Sequence, residues 1–166
     1  MRRLLAVGGL ALLLFATGCA GGSTGSPGGG SDGYGGGGYG GGGSTVSAVT
    51  GLKVSDSPLG KIVVTDSGMT AYRFDDDTQG ATKNACTSTV CRSNWTPITV
   101  GGGSPSVEGV TGKVVTIAAA GGKQQITLDG WPLYTYNGDA AAGDVKGQGV
   151  EGTWWVVDPT GMKITG

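Results

Sequence analysis

The chain has 166 residues, 37 of them glycine, a net charge of −1 and no histidine. A near-neutral balance argues against nucleic-acid binding, which needs a basic face to displace counterions. The absence of histidine removes the commonest general base and the commonest metal ligand together.

Arg2 and Arg3 precede an apolar run from Leu4 to Phe15, too short to span a bilayer comfortably. Ala16-Thr17-Gly18-Cys19 follows. Small residues leading into a cysteine at that place resemble the lipobox of bacterial lipoproteins. The resemblance implies removal of residues 1–18 as a signal and acylation of Cys19. The lipid bilayer, reached through Cys19, is then the first expected partner, and the location is extracytoplasmic and lipid-anchored. Two or three acyl chains would hold stably where one is marginal.

Residues 19–45 form a tether rich in Gly and Ser, with Tyr34 and Tyr39 as isolated aromatics. It has too little apolar mass to offset its own ordering entropy. A Gly/Ser chain of this length has an end-to-end distance of roughly 25–30 Å. The remaining roughly 120 residues suffice for one domain with its own core.

Within that domain one stretch occurs twice. GKIVVTDSGMTAYRFDDD, Gly60 to Asp77, aligns without a gap with GKQQITLDGWPLYTYNGD, Gly122 to Asp139, at an offset of 62. The alignment matches Tyr72 with Tyr134, Phe74 with Tyr136 and Asp77 with Asp139. A repeat of this size sets the fold, here two β repeats over 46–103 and 104–166.

In the first repeat, Leu52–Val54 and Lys61–Thr65 read as strands around the turn-forming Asp56-Ser57-Pro58-Leu59-Gly60. Thr70–Phe74 alternates after Asp66-Ser67-Gly68, putting Tyr72 and Phe74 on one face. Trp95 to Ile98 closes the unit. Between them, Cys86 and Cys91 are expected to form a disulfide, as an isolated pair in an exported protein does. A redox-active pair is the sharper alternative, but the spacing is not CxxC, and metal binding by two thiols has no histidine to complete it. Asp75-Asp76-Asp77 with Gly80 has the look of a calcium loop, yet Cys86 stands where the closing Glu would be.

In the second repeat, Lys113–Ala120 and Gln124–Leu128 read as strands. Asp129-Gly130 before the aromatic run Trp131–Tyr136 is a hairpin signal. Thr153–Val157, with Trp154 and Trp155, ends the unit. The preceding loop, with Asp144, Lys146 and Gln148, is a candidate binding loop on a repeated scaffold. It lacks the GxxxxGK[ST] of a phosphate loop.

The doubled Tyr-x-Phe/Tyr-x-x-Asp, the Cys-bearing loop before a Trp, and DGWPLYTYNGDAAAGDVKGQG followed by GTWWVVDPTG together resemble one family. It is the bacterial secreted repeat of unknown function, lipoproteins with a Yx(F/W/Y)xxD motif. The resemblance covers Leu52 to Gly161. It implies an envelope location and the repeat, and brings no catalytic residue, ligand or cofactor.

The expectation is an all-β domain of about eight short antiparallel strands in two pseudo-symmetric halves, as a sandwich or flattened barrel. Tyr72, Phe74, Tyr134 and Tyr136 are expected to pack, and Asp77 and Asp139 to close equivalent turns. Three readings of function compete. One is a non-catalytic structural or binding module. Another is a binder of wall glycan or Ca²⁺, with Tyr72, Trp131, Tyr134, Trp154 and Trp155 as a stacking face, or of an envelope protein. The third is a hydrolase using Asp77 with Asp139. No cofactor or metal is expected.

Overall fold

A computed structural model describes residues 49–166. The signal segment, Cys19 and the tether with Tyr34 and Tyr39 lie outside the described residues. The first strands, β1 (Gly51–Ser57) and β2 (Gly60–Thr65), form an antiparallel hairpin. Pro58 and Leu59 make its tip. The Ser57 hydroxyl accepts from the Leu59 N–H at 3.1 Å and donates to the Gly60 carbonyl at 2.8 Å. After a turn at Asp66–Gly68 comes β3 (Tyr72–Phe74), and a long loop then leads to helix α1 (Thr89–Asn94).

The helix is a departure from the sequence expectation. Ser88 caps it by accepting from the Cys91 N–H, and the Cys86–Cys91 disulfide ties that first turn to the chain before it. Strands β4 (Trp95–Pro97) and β5 (Thr99–Val100) complete the first repeat. The second repeat supplies β7 (Val114–Ala118) and β8 (Gln124–Leu128) as a hairpin, then β9 (Trp131–Pro132), β10 (Tyr134–Tyr136) and β11 (Trp154–Val156). Strand β6 (Ser106–Glu108) was not anticipated. It lies parallel to β1, so the pairing is not wholly antiparallel. The described residues thus hold eleven strands where about eight were expected. Several are two or three residues long, below what a pattern of alternation can reveal.

The two repeats exchange their closing strands. The motif strands β3 and β10 pair antiparallel at Tyr72 and Tyr134, in the middle of one sheet. β11 of the second repeat pairs with β3 of the first, and β4 of the first pairs with β10 of the second. β5 likewise joins β8. Neither half is therefore a complete unit without the other.

Hydrogen bonds at the exchange points give the internal equivalences. Val157 donates to Ala71 O and accepts from Val63 N–H; Ile98 donates to Leu133 O and accepts from Ile126 N–H. Val63 thus corresponds to Ile126, one position later than the gap-free offset requires, whereas Ala71 corresponds to Leu133 as expected. The turn absorbs the slip. Thr65 to Met69 lie between the bridged Val64 and Thr70, while Leu128 to Trp131 lie between the paired Thr127 and Pro132. The matches of Gly60 with Gly122 and of Thr65 with Thr127 are corrected by one residue. A one-residue slip would otherwise turn every strand side chain to the wrong face.

Alternate residues enter two different cores. Leu52, Val63, Ala71, Ile98, Ile126, Leu133 and Val157 build an aliphatic core. Ile62, Val64, Tyr72, Trp95, Tyr134, Trp154 and Val156 build an aromatic one. Ile62–Thr65 and Gln125–Leu128 are accordingly buried on both faces and read as continuous apolar or neutral runs. The loop of each repeat covers the second face, through Cys86, Cys91, Val145 and Val150.

Candidate functional site

The doubled motif sits in the aromatic core. Trp95 and Trp154 stack across the pseudo-twofold centre, with ring centroids 3.7 Å apart and planes 5° from parallel. Phe74 stacks on the outer face of Trp154 at 4.1 Å, and Tyr136 lies over Trp95 at 4.5 Å. Tyr72 meets Trp95 edge-on at 5.3 Å, and Tyr134 meets Trp154 edge-on at 5.2 Å. Stacked and edge-to-face contacts are the favoured geometries of aromatic pairs. Tyr72 and Tyr134 have no exposed surface. Phe74 and Tyr136, at the ends of the stack, are partly buried and pack against the same core.

A buried phenol needs a partner. Tyr72 donates to Asp139 Oδ2 at 2.8 Å, and Tyr134 donates to Asp77 Oδ2 at 2.9 Å. Each motif tyrosine therefore bonds the motif aspartate of the other repeat. The second oxygen of each carboxylate fixes its own loop: Asp77 Oδ1 accepts from Ala85 N–H at 2.6 Å, and Asp139 Oδ1 from Lys146 N–H at 2.9 Å. The backbones of Asp77 and Asp139 also close matching turns, donating to Phe74 O and Tyr136 O. Burial pushes both carboxyls above the usual range, against the pull of these hydrogen bonds. Burial likewise raises both phenols, so they remain protonated donors.

The loops cross over in the same way. Gly80 N–H donates to Gly130 O, and Gly143 N–H donates to Gly68 O. Each repeat's loop thus rests on the other's hairpin turn. Gly130, at φ +81°, leaves no room for a side chain, because a Cβ there would stand 2.9 Å from Gly80 N.

The other sequence candidates separate. Asp75 accepts from Trp155 Nε1 at 2.8 Å and from Lys163 Nζ at 2.7 Å, Asp76 is exposed, and Asp77 points into the core. The three carboxylates therefore do not converge as a calcium loop would. Among the described residues no group of three or more Cys, Asp or Glu is placed to hold a metal. Asp144 accepts from Ala140 and Ala141 N–H and pairs with Lys146 at 2.8 Å. Gln148 bridges Val156 N–H and Ile164 O. This loop is held internally by the residues expected to bind. The stacking face is not formed either: Tyr72, Tyr134 and Trp154 are buried, while Arg73 covers Trp131 at 3.5 Å.

A site the sequence reading missed lies beside β4. A cleft of about 500 Å³ is bounded by Lys83, Arg92 and Lys123 on its rim, with Trp95, Pro97 and Ala118–Ala120 on its apolar side. Asn84, Thr87, Thr96 and Thr99 add polar atoms, and no carboxylate lines it. Its volume is in the range of small-ligand sites. A signal for it exists in the chain. From Thr78 to Leu128 the only acid is Glu108, against Lys83, Arg92, Lys113 and Lys123, in a protein whose acids outnumber its cations.

A family model described as a secreted repeat of unknown function matches residues 53–99 and 115–158. Its two matches coincide with the two structural repeats, ending within the exchanged strands β5 and just past β11. No curated protein and no solved structure matches the chain.

Proposed function

We propose a function from one premise: the chain belongs to the family described as a secreted repeat of unknown function. The protein is an extracytoplasmic module, tethered to a bacterial membrane through acylated Cys19, that binds and does not catalyse. The observation that carries the non-catalytic part is the reciprocal bonding of Tyr72 to Asp139 and Tyr134 to Asp77. Those are the groups a carboxylate-dependent hydrolase would need. Each is buried and has its hydrogen-bonding atoms occupied by the other repeat or its own loop, which leaves no face for a substrate. The motif is read instead as a clasp that makes two β repeats one rigid body. With the motif occupied in both repeats, the binding is assigned to the surface cleft.

The anchoring part rests on the run from Arg2 to Cys19. The proposed hold is the lipid on Cys19. Cells fed a fatty-acid probe should label the wild-type chain and leave Cys19→Ser unlabelled and released from the membrane fraction. Equal labelling and retention of both would refute the anchor.

A further inference from the structure

We propose that the cleft beside β4 is a binding site for an anionic saccharide or polyol chain bearing phosphate or carboxylate groups. The assignment deepens the binding-module reading by naming its site and ligand chemistry. It starts from a break in the pseudo-symmetry. β11 and β4 are equivalent edge strands, pairing with β3 and β10 at equivalent positions. The outer edge of β11 is covered by its own chain. Val156 N–H donates to Gln148 Oε1, Val156 O accepts from Ile164 N–H, and Val157 bridges Lys163. The counterpart of Val156 in β4 is Pro97, which has no N–H to satisfy. There the edge is left open, and the space filled by the C-terminal segment in one half is the cleft in the other. Proline also keeps a foreign strand from pairing along that edge, so the expected occupant is not a peptide.

The lining specifies the ligand's charge. Lys83 and Lys123 are exposed, and among the described residues their ammonium groups have no hydrogen-bond or ion-pair partner. Arg92 donates from Nε to Cys86 O at 3.3 Å, which holds the guanidinium, and among the described residues its terminal amino groups have no partner. The disulfide at Cys91, next in the chain, holds Arg92 in place from the other side. Three cations come from two repeats to one cleft that contains no carboxylate. An uncompensated cluster of that kind raises the local concentration of anions and binds their oxygens by charge-assisted hydrogen bonds. The threonine hydroxyls and the Asn84 amide suit ligand hydroxyls, and Pro97 with Ala118–Ala120 suits the C–H faces of a sugar or polyol. Asn84 is itself anchored, donating to the buried Gln125, which donates to Leu133 O.

The test is calorimetric titration of the full chain in detergent with four probes. These are poly(glycerol phosphate), polygalacturonate, glucose 6-phosphate and neutral dextran. The expected result is binding of at least one anionic probe, weakened by added salt, with none of dextran. Lys83→Gln with Lys123→Gln should reduce that affinity about tenfold or more, as loss of charge-assisted contacts does. Lys113→Gln, before β7 and outside the cleft, should leave it unchanged. Binding of the polymers alone identifies a wall polymer as the source, and binding of glucose 6-phosphate as well identifies a free sugar phosphate. Failure of every anionic probe to bind, equal binding of dextran, or undiminished affinity in the double lysine variant would overturn the site. The assay does not depend on Cys19, so it fails or succeeds separately from the membrane anchor.

Discussion

Tyr72 donates its hydroxyl to Asp139, 67 positions further along the chain, at 2.8 Å. It does not bond Asp77, the aspartate of its own motif, which takes the hydroxyl of Tyr134 instead. The doubled motif is thus a pair of crossed bonds. A single copy has a donor and an acceptor that cannot meet each other, and two copies satisfy both.

Truncation inside this clasp is expected to be severe. Tyr134→Ala removes a fully buried ring packed on Trp154 and should destabilise by roughly 3–5 kcal/mol. Asp139→Ala should exceed the roughly 1 kcal/mol of a simple turn bond, because it leaves the buried Tyr72 hydroxyl proton with no acceptor and also frees the partly buried Lys146 N–H. Chemical denaturation of both variants checks this. Wild-type midpoints would rule out a packing role for the motif.

Gly147 lies where the second loop presses on the aromatic core. A Cβ there would stand 2.7 Å from a Tyr72 ring carbon and 2.9 Å from Trp95. Both rings are fixed by the stack, so Gly147→Ala should lower stability by roughly 1–3 kcal/mol. Gly101→Ala, with open space around it, is the matched control and should be nearly neutral. Thermal unfolding of the pair distinguishes steric crowding from a general effect of losing glycine.

The clasp also sets a pH dependence. Burial raises the carboxyls of Asp77 and Asp139 in the folded protein. In the unfolded chain an aspartate titrates near about 3.9. Above that pH the unfolded state has released its proton while the folded state still holds part of it. The folded state binds more protons, so the contribution of these groups falls as pH rises through the window upward from about 4. Asp139→Asn removes one of them. Wild type should therefore lose stability relative to Asp139→Asn between pH 4 and pH 7, measured by urea midpoints. A relative gain over that interval would mean that the carboxylate is held charged, contrary to its burial.

The Cys86–Cys91 bond closes a short loop around the N-terminus of α1. Chain entropy for so short a loop corresponds to roughly 2 kcal/mol. Reduction should lower the unfolding midpoint while leaving the fold intact, since the stack and both crossed bonds lie outside that loop. Reduction should also loosen Arg92 and weaken anion binding in the cleft. Loss of all cooperative unfolding on reduction would show that the loop nucleates the domain.

How far the chain discloses this structure depends on the kind of interaction. The motif strands were legible because Tyr72 and Phe74, and Tyr134 and Tyr136, alternate beside turn residues, and the repeat itself marked two halves. The one-residue slip between Val63 and Ile126 was not, because Thr65 and Thr127 match in identity and hide a shorter turn. Strand exchange left no local trace: pairing of β11 with β3 is a property of the assembled pair, and either repeat alone would read the same. The aspartates looked like turn formers, which their backbones are. Their side chains reach across the domain, and spacing along one strand cannot show that. The cleft shows in the chain only as the nearly acid-free run from Thr78 to Leu128, and its place does not, since Lys83, Arg92 and Lys123 come to one cleft only after the repeats interlock.

The central claim is that the motif works between repeats and not within them. Double-mutant cycles measure it directly, using Tyr→Phe and Asp→Asn so that each ring and side-chain volume is kept. Coupling of Tyr72→Phe with Asp139→Asn, and of Tyr134→Phe with Asp77→Asn, is predicted to be about 0.5–3 kcal/mol by denaturation. Coupling of Tyr72→Phe with Asp77→Asn, inside one copy, is predicted to be within about 0.5 kcal/mol of zero. Strong coupling within a copy and none across copies would contradict the crossed arrangement.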